Sequence, residues 1–216
     1  MRIILAIFIC VFAALGCNAK NSARAMIVMK DGAVKEDVEI KLPKGWEEKL
    51  KIKVGNVEET LNAEDIDYFE LWHSDNPSQK ALIKSFHIGE YKHKKNYLDA
   101  RKQMGWMALQ SAGEHLEYWI WFEKIILKSD KIKYQIDDNS HCFVKRNSDV
   151  AVMIPINLMV PKRTRDWLKA FLADDSELTE RITDKGYFNK KNPYHQGNNY
   201  NPFFFEDIAV DYNPQR

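Results

Sequence analysis

The amino-acid sequence predicts an α+β protein that is mostly antiparallel β, a sandwich or open barrel, with a short C-terminal helix pair. Apolar and polar residues alternate along segments between residues 25 and 156. Tight-turn dipeptides such as Asp31-Gly32 and Gly55-Asn56 separate these segments. Helical spacing of apolar residues begins only after Pro161. A hydrophobic share of 45% with 29% charged residues is typical of a globular chain.

An N-terminal β unit is predicted over residues 24–72. Its alternating segments are short, and Gly-containing turns favour antiparallel hairpins between them. A short helical turn over 63–66 precedes the last strand of the unit, which is rich in aromatic residues. The predicted strands are 25–29, 38–42, 50–54, 57–61 and 68–72.

A larger β unit is predicted over residues 80–216, and the polar loop 73–78 is the internal boundary before it. We expect the two units to pack as one body. Residues 97–104 form either a helical turn or a basic loop. The predicted strands of this unit are 82–88, 106–110, 116–127, 132–136, 142–145 and 150–156.

The C-terminal region predicts helices confined to residues 162–186. Thr164 is the expected N-cap of the first helix, and Asp175 or Ser176 is the expected N-cap of the second. The apolar piece 203–210 then follows a polar stretch. We expect it to dock on the domain, with an edge strand of the main sheet as its natural site.

The N-terminus predicts export from the cytoplasm. One cation, Arg2, precedes an uncharged apolar run over 3–15 and a small-residue exit, which is typical of a signal peptide through residue 19. The run is shorter than the roughly 20 residues of a membrane-spanning helix. Alternatively, Ala14-Leu15-Gly16-Cys17 resembles a bacterial lipobox, so that the signal ends at residue 16 and Cys17 carries the lipid. Both interpretations predict a periplasmic or outer-membrane-associated protein.

The charge balance limits the classes of possible partner, and the cysteine content limits the possible disulfides. The chain has 32 basic and 31 acidic residues, and loss of Arg2 with the signal leaves 31 of each. This neutral balance argues against a nucleic-acid partner and leaves lipid on Cys17 as the only predicted membrane contact. The expected partner is therefore an envelope protein or a glycan. Cys10 lies in the predicted signal, and Cys17 is either removed with it or acylated, so no disulfide framework is expected and Cys142 is predicted to be a buried or idle thiol.

Motifs for catalysis are missing from the sequence. It contains no Gly-rich phosphate loop, no G-x-S-x-G elbow and no H-E-x-x-H helix. His87 and His93 are near each other, but their lysine-rich surroundings disfavour a cation. We therefore assign no catalytic residue, metal ligand or cofactor. The predicted function is a non-catalytic binding or structural β domain.

The densest local signal is an aromatic strand over residues 118–122. Strand alternation places Tyr118, Ile120 and Phe122 on one face, which is predicted to be core. The opposite face either packs beneath Trp167 and Phe171 or forms a binding platform. In the second case the candidate ligand-binding residues are Trp119, Trp121, Glu117 and Glu123.

The alternative function is hydrolysis of a glycan. Glu114, Glu117 and Glu123 could supply the pair of carboxylates that such enzymes use, and the neighbouring aromatic residues would suit sugar stacking. Two of these acids in one pocket would favour the hydrolase. A flat aromatic face would favour the binding domain.

Two further features carry a family resemblance. A lysine-rich hairpin and the turn 63–66 lie before the aromatic strand of the first unit, and an Ile-x-x-x-Tyr-Asn element over 208–213 follows the helix pair. In this layout the chain resembles a group of uncharacterised exported proteins of Bacteroidetes-like bacteria, over most of its mature length. The resemblance implies a location in the cell envelope and implies no catalytic activity.

Overall fold

A computed structural model describes residues 23–128, 130–137, 140–156, 161–183 and 205–214. The predicted signal segment and Cys17 lie outside the described residues. Strands dominate the described chain, nearly all of their pairings are antiparallel, and the helices are short. The predicted α+β class is therefore confirmed.

Twelve strands form two sheets within the described residues. The larger sheet has ten strands in the order β12-β11-β8-β7-β6-β5-β1-β2-β3-β4, and β9 and β10 form a separate hairpin. The strands are β1 (Ala23–Met29), β2 (Val34–Ile40), β3 (Lys49–Val54), β4 (Val57–Asn62), β5 (Ile66–His73), β6 (Asn76–Lys92), β7 (Tyr97–Ala112), β8 (Leu116–Trp121), β9 (Lys124–Lys128), β10 (Lys131–Gln135), β11 (His141–Lys145) and β12 (Val150–Met153).

One half of the large sheet closes into a five-stranded barrel of β6, β7, β8, β11 and β12. Each of these strands is antiparallel to the one before it, so the first and fifth run in the same direction and the closing pair is parallel. At that seam Val150–Val152 pair with His87–Gly89. A Cβ on Gly89 would lie only 2.5 Å from Cγ1 of Val150, so the close approach requires glycine here.

Side chains fill the barrel. Phe86 and Trp119 meet edge to face with ring centroids 4.9 Å apart. Cys142 is fully buried beside them, and its burial raises the pKa of the thiol and keeps it protonated. The buried interior residues are Phe86, Ile88, Met107, Trp119, Cys142, Val144 and Ala151.

The other half of the sheet, β5-β1-β2-β3-β4, remains open and buries one face. Alternate residues of these strands, such as Ile27, Leu50 and Leu71, form this core. The β9–β10 hairpin contributes to it through Ile125, with Leu127, Ile132 and Tyr134 packed against it. Burial raises the pKa of Tyr134 to about 12.

Helices cover the outer wall of the barrel. They are α1 (Pro161–Phe171), α2 (Ser176–Thr183) and α3 (Phe205–Asp211). Apolar residues of the three helices share one buried cluster with Leu116, Tyr118 and Phe143 of β8 and β11. None of the described helices combines the length and the apolar composition needed to span a membrane.

Local geometry corrects four sequence predictions. Residues 97–104 belong to the long strand β7, and segment 116–127 is divided between β8 and β9. The predicted loop 73–78 is only a two-residue turn between β5, which ends at His73, and β6, which begins at Asn76, and both strands belong to one continuous sheet. Thr164 lies inside α1, where its hydroxyl donates to the carbonyl of Pro155 at 2.8 Å, so it is not the N-cap.

The C-terminal apolar piece docks on the domain as expected, but as helix α3. Phe205, Ile208 and Ala209 are buried against β7 and β8. Two predictions are therefore wrong: that this piece forms an edge strand, and that helices are confined to residues 162–186. Phe203 and Phe204 lie outside the described residues. A short apolar run cannot distinguish a strand from a buried helix by its pattern alone.

The last residues of the described chain are anchored to the start of α2. Asp175 is fully buried and accepts N–H bonds from Leu178, at 3.0 Å, and Asn213, at 2.7 Å. It is thus the N-cap of α2, one of the two predicted residues. The Tyr212 hydroxyl donates to Asp174 at 2.7 Å, and Asp211 pairs with Arg181. The Tyr-Asn element therefore serves as a C-terminal clamp.

Candidate ligand-binding surface

The predicted aromatic residues of β8 are mostly committed to packing. Trp119 is 1% exposed inside the barrel, and its indole N–H donates to Oε2 of Glu117 at 2.8 Å. A ring in this position has no face free to stack on a ligand. Trp121 is half-buried, and its indole N–H donates to the carbonyl of Gly45 at 3.0 Å.

The expected packing of these tryptophans beneath Trp167 and Phe171 is wrong. Trp167 and Phe171 stack on each other, with centroids 5.0 Å apart, over the opposite face of the barrel wall. That face carries Tyr118, which lies in the same buried cluster. Trp119 directly follows Tyr118 on β8, so its side chain points to the opposite face, into the barrel.

The three carboxylates of the hydrolase hypothesis engage different neighbours. Glu117 accepts from Trp119, Glu123 accepts from the side-chain amide of Gln135, and Glu114 lies 3.9 Å from Nε2 of His115. Glu117 belongs to β8, whereas Glu123 follows the end of that strand. None of the described contacts joins two of these acids.

Metal-binding geometry does not appear in the described part of the chain. No group of three or more His, Cys, Asp or Glu side chains there is arranged to hold a metal ion. His93 lies in a short 3-10 turn after β6, and His87 lies on the strand at the barrel seam.

A loop after β2 provides a different candidate. Gly45 is buried, and its amide donates to the carbonyl of Glu123 at 3.2 Å. Its carbonyl accepts the indole N–H of Trp121 and the backbone N–H of Trp106, the latter at 2.8 Å. A Cβ at this position would lie 1.7 Å from the carbonyl oxygen of Phe122, so the contact requires glycine. These bonds fasten the loop to the barrel wall.

The fastened loop displays Trp46. All six tryptophans are described, and Trp46 is the most exposed of them, at 51%, whereas the other five are buried or half-buried. The ammonium of Lys44 lies 5.6 Å from the centroid of its ring. An exposed indole on a fixed loop loses little further conformational entropy when a ligand binds. This is the general advantage of a preorganised contact.

Three lysines line one cleft together with this indole. Lys49 and Lys51 both lie on the outward face of β3. The backbone N–H of Lys41 donates to the carbonyl of Lys51 at 2.9 Å. Lys41 and Lys51 therefore face each other across the strands on the same side. With Trp46, Glu47 and Glu48 they line an open cleft of about 430 Å³. We call these six residues the Trp46 surface.

Sequence reasoning missed this surface. Residues 43–49 lie between the predicted strands 38–42 and 50–54, and no binding residue was assigned there. The available signal was a tryptophan set among charged residues, whereas Trp106, Trp119 and Trp121 stand in apolar runs. That contrast favours exposure, but the anchoring of Gly45 depends on strands more than 60 residues away in the sequence.

A second groove of about 400 Å³ lies between the ends of β6 and β7 and the β9–β10 hairpin. Its polar groups include Gln110, whose amide is bonded to the carbonyls of Ala108 and Leu109 on its own strand. Ser111 donates to the carbonyl of Glu206 at 3.3 Å. Because two of its polar side chains are engaged within the protein, this groove is the weaker candidate.

No protein-family model, curated protein or solved structure matches this chain. Function is therefore inferred from the geometry of the Trp46 surface and from the sequence.

Proposed function

We propose that this protein is a non-catalytic binding domain of the bacterial cell envelope that holds a glycan at the Trp46 surface. The observation that carries the proposal is the half-exposed indole of Trp46 on a loop that three hydrogen bonds fasten to the barrel. The export signal predicted over residues 1–19 supports the location.

The composition of the cleft supports a sugar ligand. A pyranose ring has an apolar C–H face, which an exposed indole can cover, and hydroxyl groups that both donate and accept hydrogen bonds. The Trp46 surface offers donors on Lys41, Lys49 and Lys51 and acceptors on Glu47 and Glu48 around one aromatic ring. A few polar groups around an aromatic contact are typical of small-ligand sites.

The test is a polysaccharide-binding assay with the mature protein and two variants. Trp46→Ala removes the indole, and Tyr97→Ala removes a comparably exposed aromatic side chain, 57% exposed, at the start of β7. We expect a panel of acidic and neutral envelope polysaccharides to contain a ligand whose affinity falls about tenfold or more in Trp46→Ala. Tyr97→Ala should bind like the wild type.

Equal binding by Trp46→Ala and the wild type would contradict the proposal. So would release of reducing ends during incubation, because hydrolysis would make the protein an enzyme. Circular dichroism and thermal unfolding of both variants verify that a lost affinity is not a lost fold.

A further inference from the structure

We infer that the ligand of the Trp46 surface is an acidic polysaccharide, whose carboxylate or phosphate groups Lys41, Lys49 and Lys51 bind. The inference rests on the proposed function and adds the ligand's charge to it. Its basis is the position of three lysines in one cleft with Trp46, two of which face each other directly.

Several cations on β1, β2 and β6 have acidic partners. Arg24 pairs with Asp37 at 2.7 Å, Lys35 with Glu59 at 3.1 Å, Lys80 with Glu70 at 2.7 Å and Lys84 with Asp67 at 3.0 Å. Among the described residues, no ion pair within 4.0 Å involves Lys41, Lys49 or Lys51, although all three are exposed.

Register explains why these three cations lack partners. On its other side β3 pairs with β4, where Lys51 faces Thr60 and Lys49 faces Asn62, both neutral. Lys41 faces Lys51 itself. Like charges directly opposite each other destabilise a strand pair, so this juxtaposition costs stability in the free protein. An anionic group between them would relieve that repulsion.

The acids near the cleft leave this excess in place. Oε2 of Glu47 accepts the backbone N–H of Lys44 at 3.1 Å, which directs this carboxylate to its own loop. Glu48 is exposed on the rim, and the cleft therefore carries three lysines against two glutamates. An acidic sugar whose ring covers Trp46 and whose anionic group reaches the lysines fits both features.

The experiment compares polygalacturonate with its fully methyl-esterified form, which keeps the sugar backbone and removes the charge. We expect the wild type to bind polygalacturonate about tenfold or more tightly than the ester, and raising the ionic strength from about 0.05 to about 0.5 M to weaken the binding. The triple variant Lys41→Gln, Lys49→Gln, Lys51→Gln should lose this preference. The control triple Lys94→Gln, Lys95→Gln, Lys102→Gln removes the same charge from exposed positions and should retain it.

Three results would overturn the inference. Equal affinity for acid and ester would leave a sugar site without charge selection, which spares the proposed function. A DNA oligonucleotide that binds as tightly as polygalacturonate would indicate a general polyanion surface instead. Failure of the wild type to bind polygalacturonate at millimolar sugar would also reject it, whereas the proposed function is tested separately by the Trp46→Ala comparison.

Discussion

Gly45 links the aromatic strand to the proposed binding surface. Trp121 was a candidate ligand contact if its face formed a binding platform, but its indole N–H instead donates to the carbonyl of Gly45, in a loop whose next residue is Trp46. Glu123 acts similarly through its backbone carbonyl. Two of the four predicted site residues thus lie behind the surface rather than on it, and they support Trp46.

Sequence alone could not reveal this arrangement, because alternation predicts which face a residue occupies but not what covers that face. Trp119 and Trp121 share one face of β8, as predicted, yet the curvature of the barrel turns that face inward. The anchoring of the loop that carries Trp46 depends on contacts with distant strands, for which no short-range pattern exists.

The first prediction concerns the bond from Trp121 to Gly45. Trp121→Phe keeps an aromatic ring but removes the donor, so we expect a loss of about 1 kcal/mol in the free energy of unfolding. Hydrogen exchange of the Trp106 amide, which shares the same carbonyl acceptor, should accelerate. Urea unfolding and amide exchange measure both effects.

Trp72→Phe is the matched control, since Trp72 is half-buried on β5 and no described side-chain hydrogen bond uses its indole. It should change stability by less than about 0.5 kcal/mol. Unchanged exchange at Trp106 in Trp121→Phe would show that the indole does not fasten the loop.

Elements with regular periodicity were the most predictable part of the fold. The hairpins β1–β2 and β3–β4 occur where alternating segments flank Asp31-Gly32 and Gly55-Asn56, and both glycines have positive φ, at 87° and 61°. Barrel closure was beyond prediction, because the parallel pairing of β12 with β6 joins residues about 60 positions apart. The segment that forms helix α3 was wrongly predicted as a strand, because its short apolar run lacks a distinctive period.

A second prediction tests the docking of α3. Ile208 is fully buried against the barrel wall, whereas Val210, two residues later, is 60% exposed. Ile208→Ala should lower the free energy of unfolding by about 2–5 kcal/mol because it leaves a cavity. Val210→Ala should cost less than about 0.5 kcal/mol. Similar small losses in both variants, measured by denaturant unfolding, would contradict the docking.

A third prediction concerns the pH dependence of the C-terminal clamp. Partial burial favours the neutral carboxyl of Asp174, but hydrogen bonds from Lys145 and Tyr212 outweigh it and lower the pKa of that carboxyl. A folded-state pKa below the unfolded value contributes stability above the unfolded pKa, and this contribution is lost as the pH falls through the folded value.

Asp174→Asn should therefore be less stable than the wild type at pH 7, and the difference should narrow as the pH falls below about 4. Thermal unfolding across this pH range measures the difference. A difference that stays constant down to pH 2 would mean that ionisation of Asp174 contributes nothing to the clamp. Asp166→Asn on α1 is the control, since no described ion pair uses that carboxylate.

At the scale of the whole molecule, composition predicted a globular protein with a neutral mature chain, and the N-terminal segment predicted its export. A fourth prediction is that the protein isolated from envelopes lacks at least residues 1–16, because the charged start and apolar run are removed by a signal peptidase. Intact mass gives the answer: an acylated Cys17 indicates the lipoprotein, Lys20 as first residue indicates the soluble form, and a retained Met1 refutes export by this signal.

Ligand binding at Trp46 can be tested on all six tryptophans at once by the indole N–H signals in a ¹H–¹⁵N NMR spectrum. The Trp46→Phe variant assigns its own signal, and titration with polygalacturonate follows each indole. We predict that the Trp46 signal shifts most, while those of Trp119 in the barrel and of Trp167 under the helices remain in place. A titration in which another indole signal shifts and that of Trp46 stays constant would contradict binding at the Trp46 surface.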